Sequence, residues 1–331
     1  MKKLIALVFG ALALSACATP TPTSVPPTAT PVPPTSVPTA TRVPPTGTPV
    51  PPTATATPVP ATATPTRPPS PTVIPGLPAQ PRALKFKASD GRELDGTYYP
   101  GATNPAPMIV LMHWVRSDQT DWAEVAFWLQ NRGLGGATAN PGKFPWRDRS
   151  WFPAMLTGKS FAVFTFNFRG CTSNGCPGFD QPGWLQDAYA ALKTASELDG
   201  VDAKKVVVAG ASIGADGAVN ACAWLNAQKG KGACVGAFAL SPGGYLTMPY
   251  PAAVLPLQNE QPAKPVWCLA GDGDRESAPT CKSATGAAHR LIEFAGNPHG
   301  MDLINPNLKP KGLTVNALQL MLDWLKQSLG L

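Results

Sequence analysis

Proline is so unevenly placed that the chain cannot fold as one body. Of its 40 prolines, 22 lie between Pro20 and Pro81, where they alternate with Thr, Val and Ala. Each fixes φ near the polyproline II value and removes a backbone donor, so neither helix nor sheet runs through the tract. Arg42 and Arg67 are its only charged residues, and large apolar side chains are scarce. Too little burial is available there to offset the entropy of ordering. The composition predicts a disordered but extended stalk. At about 3.1 Å per residue, roughly 60 such residues reach on the order of 150 Å. Residues 82–331 remain, enough for one large domain.

The formal net charge of +7 is partly a property of the same N-terminal region. With Lys2, Lys3, Arg42 and Arg67 set aside, 23 basic residues face 20 acidic ones. No concentrated basic face is expected, which argues against nucleic acid as a partner. No apolar run approaches the roughly 20 residues needed to cross a bilayer, which excludes a multi-span membrane protein. Lys2 and Lys3 precede a short apolar run, residues 4–14, and then Leu14-Ser15-Ala16-Cys17. A basic start followed by a run of this length is a secretory signal. Its ending resembles the bacterial lipobox, which implies cleavage after residue 16 and acylation of Cys17. The expected order is a signal peptide at 1–16, a lipidated Cys with its Pro/Thr-rich linker at 17–81, and a folded domain at 82–331. The membrane is then a partner through the lipid anchor, and the protein is expected outside the cytoplasm as a monomer.

Six further cysteines, Cys171, Cys176, Cys222, Cys234, Cys268 and Cys281, fall in pairs close along the chain. Export favours disulfides, and proximity suggests 171–176, 222–234 and 268–281 among the 15 possible connectivities. No Cys-x-x-Cys pair or Cys/His cluster has zinc-ligand spacing, so no metal site is expected.

Short apolar runs recur along the domain at residues 108–112, 161–166, 206–209, 235–240, 266–270 and 291–294. Runs of this length and continuity suit parallel strands buried on both faces. Helical spacing occupies the intervals at 120–132, 184–198, 213–228 and 314–329. Two earlier extended runs, 84–88 and 94–99, flank Asp90-Gly91 and predict an edge hairpin. The fold class is α/β, with a mostly parallel central sheet and helices on both faces.

The strand at 206–209 runs directly into Gly210-Ala211-Ser212-Ile213-Gly214 and a helix. Gly-x-Ser-x-Gly in the order strand, turn, helix places a Ser hydroxyl on a sharp elbow, where side chains at the two Gly positions would collide. The helix then aims its first amides at a developing oxyanion. On these residues the domain resembles the α/β-hydrolase family, in the branch similar to dienelactone hydrolases. The likeness extends over residues 82–331: an opening hairpin at 86–96, a third strand ending in His113-Trp114, the turn Asn167-Phe168-Arg169-Gly170, and the helix and nucleophile strand at 187–214.

The resemblance implies a Ser–acid–His order along the chain. Ser212 is the implied nucleophile. The acid follows the strand at 266–270 in Gly271-Asp272-Gly273-Asp274; the family spacing points to Asp274, with Asp272 the alternative. Of three histidines, His299 lies after the last strand, where the family carries its base, while His113 ends the third strand and His289 begins the last. The implied oxyanion donors are the backbone amides of Ile213 and Trp114. Trp114 departs from the His-Gly common among relatives. His113 is expected to shape the loop.

Trp114, Trp122, Trp128, Trp146 and Trp151 crowd into one region and form either an aromatic wall over the site or ordinary core. Residues 131–151 are a candidate rim, and the short stretch 242–265 leaves no room for a large cap domain. No phosphate loop or dinucleotide fingerprint occurs, so no cofactor is implied. The function expected from the resemblance is a membrane-tethered serine esterase acting on an acyl substrate. Amide or peptide hydrolysis and non-catalytic binding on the same fold are the alternatives.

Overall fold

The computed structural model describes residues 77–133 and 149–331. The signal, Cys17 and the linker through residue 76 lie outside the described residues, as do residues 134–148 with Trp146.

Eight strands form one sheet: β1 (Arg82–Lys87), β2 (Glu93–Tyr99), β3 (Ala106–Met112), β4 (Ala162–Phe166), β5 (Val201–Ala211), β6 (Ala237–Leu240), β7 (Val266–Gly271) and β8 (His289–Phe294). Their order is β1-β2-β4-β3-β5-β6-β7-β8. The hairpin β1–β2 adds antiparallel to β4, and every pair from β4 to β8 is parallel. The edge hairpin and the six apolar runs therefore all appear as strands. β5 extends further back than its apolar run, because Asp202, Lys204 and Lys205 are polar and give no strand signal.

Alternation along each inner strand feeds two cores. Met108, Val110 and Met112 of β3, with Val206 and Val208 of β5, pack on one face. Helices α2 (Gln181–Ser196), α3 (Ile213–Lys229) and α4 (Tyr250–Gln258) cover that face. Ile109 and Leu111, with Val207 and Ala209, point to the other face, covered by α1 (Ala123–Leu129) and α6 (Ala317–Leu329). Both faces of the central strands are thus dry, as near-continuous apolar runs require. Asp180 caps α2 by accepting from the Gly183 amide, and Asn316 caps α6 by accepting from Gln319. Such caps satisfy the first amides that a helix leaves open.

α4 and α5 (Ser277–Ser283) lack a sequence signal. Pro251 sits in the first turn of α4, where a missing amide hydrogen breaks no bond. α5 is a single polar stretch containing Pro279. The three disulfides join Cys171 to Cys176, Cys222 to Cys234, and Cys268 to Cys281. The last bridges β7 and α5 and so brackets the loop that carries Asp272 and Asp274. No helix among the described residues is long and apolar enough to cross a membrane.

Candidate active site

Ser212 occupies the junction of β5 and α3 with φ 53° and ψ −116°, backbone that a non-Gly residue adopts only where its surroundings impose it. Those surroundings are tight. A Cβ on Gly210 would overlap the Gly214 carbonyl, and one on Gly214 would overlap the Met112 and His113 carbonyls at the end of β3. The turn is pinned from the sheet side by the Ser212 amide, which donates to the Leu240 carbonyl at 2.8 Å. Ser212 is only 2 % exposed.

His299 and Asp274 arrive from the ends of β8 and β7. His299 Nε2 lies 2.9 Å from Ser212 Oγ, and His299 Nδ1 lies 2.7 Å from Asp274 Oδ2. The other carboxylate oxygen of Asp274 accepts from the backbone amides of Glu276 and Ser277 at 3.2 and 3.0 Å. Burial pushes the Asp274 pKa up, but the Ser277 amide and His299 outweigh it and hold the carboxyl below its usual range. An ionised Asp274 keeps the proton on Nδ1 and leaves Nε2 free to accept from the serine.

Of the two aspartates, Asp274 is the one in contact with His299. Asp272 accepts from the Gly296 amide at 2.7 Å and pairs with Lys311; that cation and the amide hold its pKa down. Its amide and that of Gly273 donate to the Phe294 and Gly296 carbonyls at 2.8 and 2.9 Å. Asp272 therefore ties the acid loop to the histidine loop and does not touch His299. The two loops meet so closely that a Cβ on Gly271 would lie 2.6 Å from the Gly296 carbonyl oxygen.

Ile213 is the first residue of α3, so its amide has no acceptor within the helix. Trp114 lies beside Ser212 in the same cleft. Its indole is wholly buried and donates to Asp121 Oδ2 at 2.7 Å. His113, also buried, accepts at Nε2 from the Phe168 amide at 3.0 Å, which places its proton on Nδ1, 2.7 Å from the Trp114 carbonyl. Burial lowers its pKa to about 4 against the pull of that carbonyl. A neutral His113 thus locks the loop that carries Trp114 to the turn after β4. His289 lies on β8 with its pKa lowered by burial and has no contact with the Ser212 cluster.

The cleft over Ser212 holds about 260 Å³ and is lined by Trp114, Arg116, Phe179, Tyr245, Glu276 and the Ser–His–Asp set, among others. Of the two readings of the Trp cluster, core packing holds for three of its four described members. Trp122 and Trp128 are fully buried in the core beneath α1, and Trp151 packs with them; Trp114 alone of the four described reaches the cleft. Indoles need burial more than they need a ligand. The walls come instead from Phe179, which is exposed, and from Tyr245, whose ring stands edge-on to His299 at 6.0 Å. The Arg116 guanidinium lies over the Trp114 ring, 5.2 Å from its centroid. None of these carried a motif. Only the turn-rich Ser241-Pro242-Gly243-Gly244 after β6 hints that something is being positioned there.

A larger groove of about 640 Å³ runs between α2 and α3, over stacked Tyr189 and Trp224, and shares no residue with the Ser212 cleft. Its size does not make it the reactive site, since no nucleophile–base pair lies in it. No cluster of three His, Cys, Asp or Glu side chains suited to a metal ion occurs among the described residues.

No family model matches the chain. It is 28% identical over 138 residues to the uncharacterized protein YfhR of Escherichia coli K12, a stretch covering 41% of this chain and 40% of that protein, so well under half of the curated relative is matched. The solved α/β hydrolase GrgF of Penicillium sp. sh18 superposes with a TM-score of 0.51 at 13% identity, over 76% of this chain and all of that one. The carboxylesterase EstE1, cloned from a metagenomic library, gives 0.48 at 17% identity over 77% of this chain and 91% of its own.

Proposed function

We propose that this chain, which has the α/β-hydrolase fold, is a serine hydrolase that cleaves carboxylic esters through Ser212, His299 and Asp274. The observation that carries the reading is the unbroken hydrogen-bond line from Asp274 Oδ2 through both nitrogens of His299 to an elbow serine. His299 Nε2 takes the Ser212 proton as Oγ attacks the ester carbonyl carbon. The resulting oxyanion is held by the Ile213 amide and by the Trp114 amide, each worth about 3 kcal/mol of barrier. Collapse expels the alkoxide, which takes the proton from His299 and leaves the acyl group on Ser212. Water, deprotonated by His299, then attacks the acyl-enzyme, and Ser212 regains its proton as the carboxylic acid departs.

A cleft of about 260 Å³ is below the usual range for drug-sized ligands, which supports a small substrate with a short acyl group. The test uses a fluorophosphonate probe on the full chain, followed by p-nitrophenyl esters of rising acyl length beside aminoacyl arylamides. Labelling that disappears in Ser212→Ala, and turnover greatest for the shortest esters, is expected. Failure of the wild-type protein to label would refute catalysis and leave a binding module. Turnover of arylamides alone would replace the esterase with an amidase.

Three disulfides fit an oxidising, extracytoplasmic setting. We place the domain on a lipid anchor at Cys17 with residues 18–81 as spacer, supported by the signal and lipobox-like residues. Radiolabelled palmitate incorporated by the wild type and not by Cys17→Ser is the expected result.

A further inference from the structure

Asp216 has no part in the proton relay, yet it lies one turn of α3 beyond Ser212 and its amide donates to the Ser212 carbonyl at 3.2 Å. Its side chain is wholly buried. Oδ2 accepts from the Tyr245 amide at 2.6 Å and from the Gly243 amide at 3.4 Å. Oδ1 is buried without a hydrogen-bond partner among the described residues. No cation pairs with the carboxylate among the described residues. The titratable groups that face it are Tyr250 from α4, whose ionisation the carboxylate opposes, and Tyr245 on the turn itself. Beyond Tyr245 stand His299, Asp274 and Glu276.

The turn held by Asp216 is connected to the relay at both ends. At one end the Ser241 hydroxyl accepts from the Gly300 amide at 2.9 Å, next to His299. At the other, the Tyr245 ring stands edge-on to the imidazole with an interplanar angle of 79°. A neutral Asn in this position would accept the same amides without burying a charge, so mere support of the turn does not explain a carboxylate.

We propose that Asp216 is a positioning residue, whose ionised carboxylate clamps the turn at 243–245 and so keeps Tyr245 against His299 and the imidazole aligned on Ser212. The ionised form makes charge-assisted bonds to the two amides, and protonation at Oδ1 weakens them. Burial raises the pKa of this carboxyl to about 7, against the amides of Tyr245, Gly243 and Gly244. The clamp therefore tightens as pH rises through neutrality. The inference rests on the reading of Ser212 and His299 as nucleophile and base.

The rate of phosphonylation of the full chain by a fluorophosphonate, followed from pH 5 to pH 9, tests this without any choice of substrate. The acid limb of the wild type should be steeper than unit slope near neutrality, because protonation of Asp216 slows the reaction in addition to protonation of His299. Asp216→Asn, the neutral analogue, should give a slope of about one, run close to wild type at pH 5 and react about fivefold more slowly than wild type at pH 9, where the wild-type clamp is ionised. Asp216→Ala, with no acceptor for the turn, should react more slowly than the Asn variant at every pH and at least about tenfold more slowly than wild type at pH 9. A wild-type limb of unit slope, or an Asn profile that superimposes on the wild type, overturns the proposal. Should the Ala variant fail to fold, the Asn profile decides alone, since that side chain keeps the acceptor. A wild type that does not label at all defeats the reading of the relay itself, whereas a labelled wild type with an unchanged Asn profile defeats this inference alone.

Discussion

Replacing Asp274 by Asn reverses the first hydrogen bond of the relay while leaving its shape intact. Asp274 Oδ1 accepts two backbone amides, those of Glu276 and Ser277. An amide hydrogen can only be accepted, so an Asn at this position must turn its oxygen towards them. Its NH2 then faces His299 Nδ1, where the carboxylate now sits at 2.7 Å. The imidazole must accept there and carry its proton on Nε2, the atom 2.9 Å from Ser212 Oγ. In that tautomer His299 cannot take the serine proton. Flipping the Asn restores the tautomer but sets its NH2 against two amide donors, at about 1–3 kcal/mol for each bond lost. The flipped state is thus disfavoured by roughly 2–6 kcal/mol, and even then no negative charge stabilises the imidazolium. A loss of about 10⁴ in kcat is expected, equivalent to about 5.5 kcal/mol. Steady-state hydrolysis of a p-nitrophenyl ester measures it, with Asp272→Asn as the comparison. Asp272 touches Gly296 and Lys311 and not the imidazole, so its variant should keep kcat within about threefold. An Asp274→Asn enzyme within tenfold of wild type, or equal losses at both positions, would refute the assignment of the acid.

Two further perturbations probe the frame around the site. Gly210→Ala drives a methyl group into the Gly214 carbonyl; overpacking against backbone should destabilise by about 3 kcal/mol and abolish phosphonate labelling, so a labelled variant with the wild-type melting temperature would contradict the elbow geometry. Arg169 makes a double contact with the wholly buried carboxylate of Asp187, with Nη2 at 2.7 Å. Arg169→Met strands that charge, at about 3–5 kcal/mol in urea denaturation at pH 8. Burial already outweighs Arg169 and raises the Asp187 pKa. Loss of Arg169 raises it further, so the penalty is full above the variant's pKa and fades as pH falls from there towards the wild-type value; a deficit that grows on acidification would be inconsistent with it.

The strands could be read from the chain because each inner strand is buried on both faces, and burial on both faces leaves a continuous apolar run. The polar first half of β5 and the Pro-containing α4 and α5 could not, since their residue types are those of turns. Cysteines close along the chain did pair with one another. The indole cluster carried two readings, and packing beneath α1 selected the core for Trp122, Trp128 and Trp151. Phe179, Arg116 and Tyr245 belong to no motif, because what brings them to Ser212 is the sheet order and the loops it juxtaposes; Asp216 is one helical turn from Ser212, but its hold on the Tyr245 amide depends on a turn 29 residues away.

The sequence by itself determined the confinement of 22 prolines to residues 20–81, the α/β alternation and the strand–turn–helix elbow at Ser212, while the order of serine, acid and histidine came from the family resemblance. The features read from the sequence depend on local residue type: proline's fixed φ, the period of burial, and the absence of side chains at Gly210 and Gly214. Only the tertiary structure sets Asp274 rather than Asp272 against His299, and only it brings the Tyr245 ring to the imidazole and the Tyr245 amide to Asp216. His299 meets a serine 87 residues earlier and an aspartate 25 residues earlier. Contacts at such separations are set by which strand ends lie side by side, and no local pattern along the chain records that.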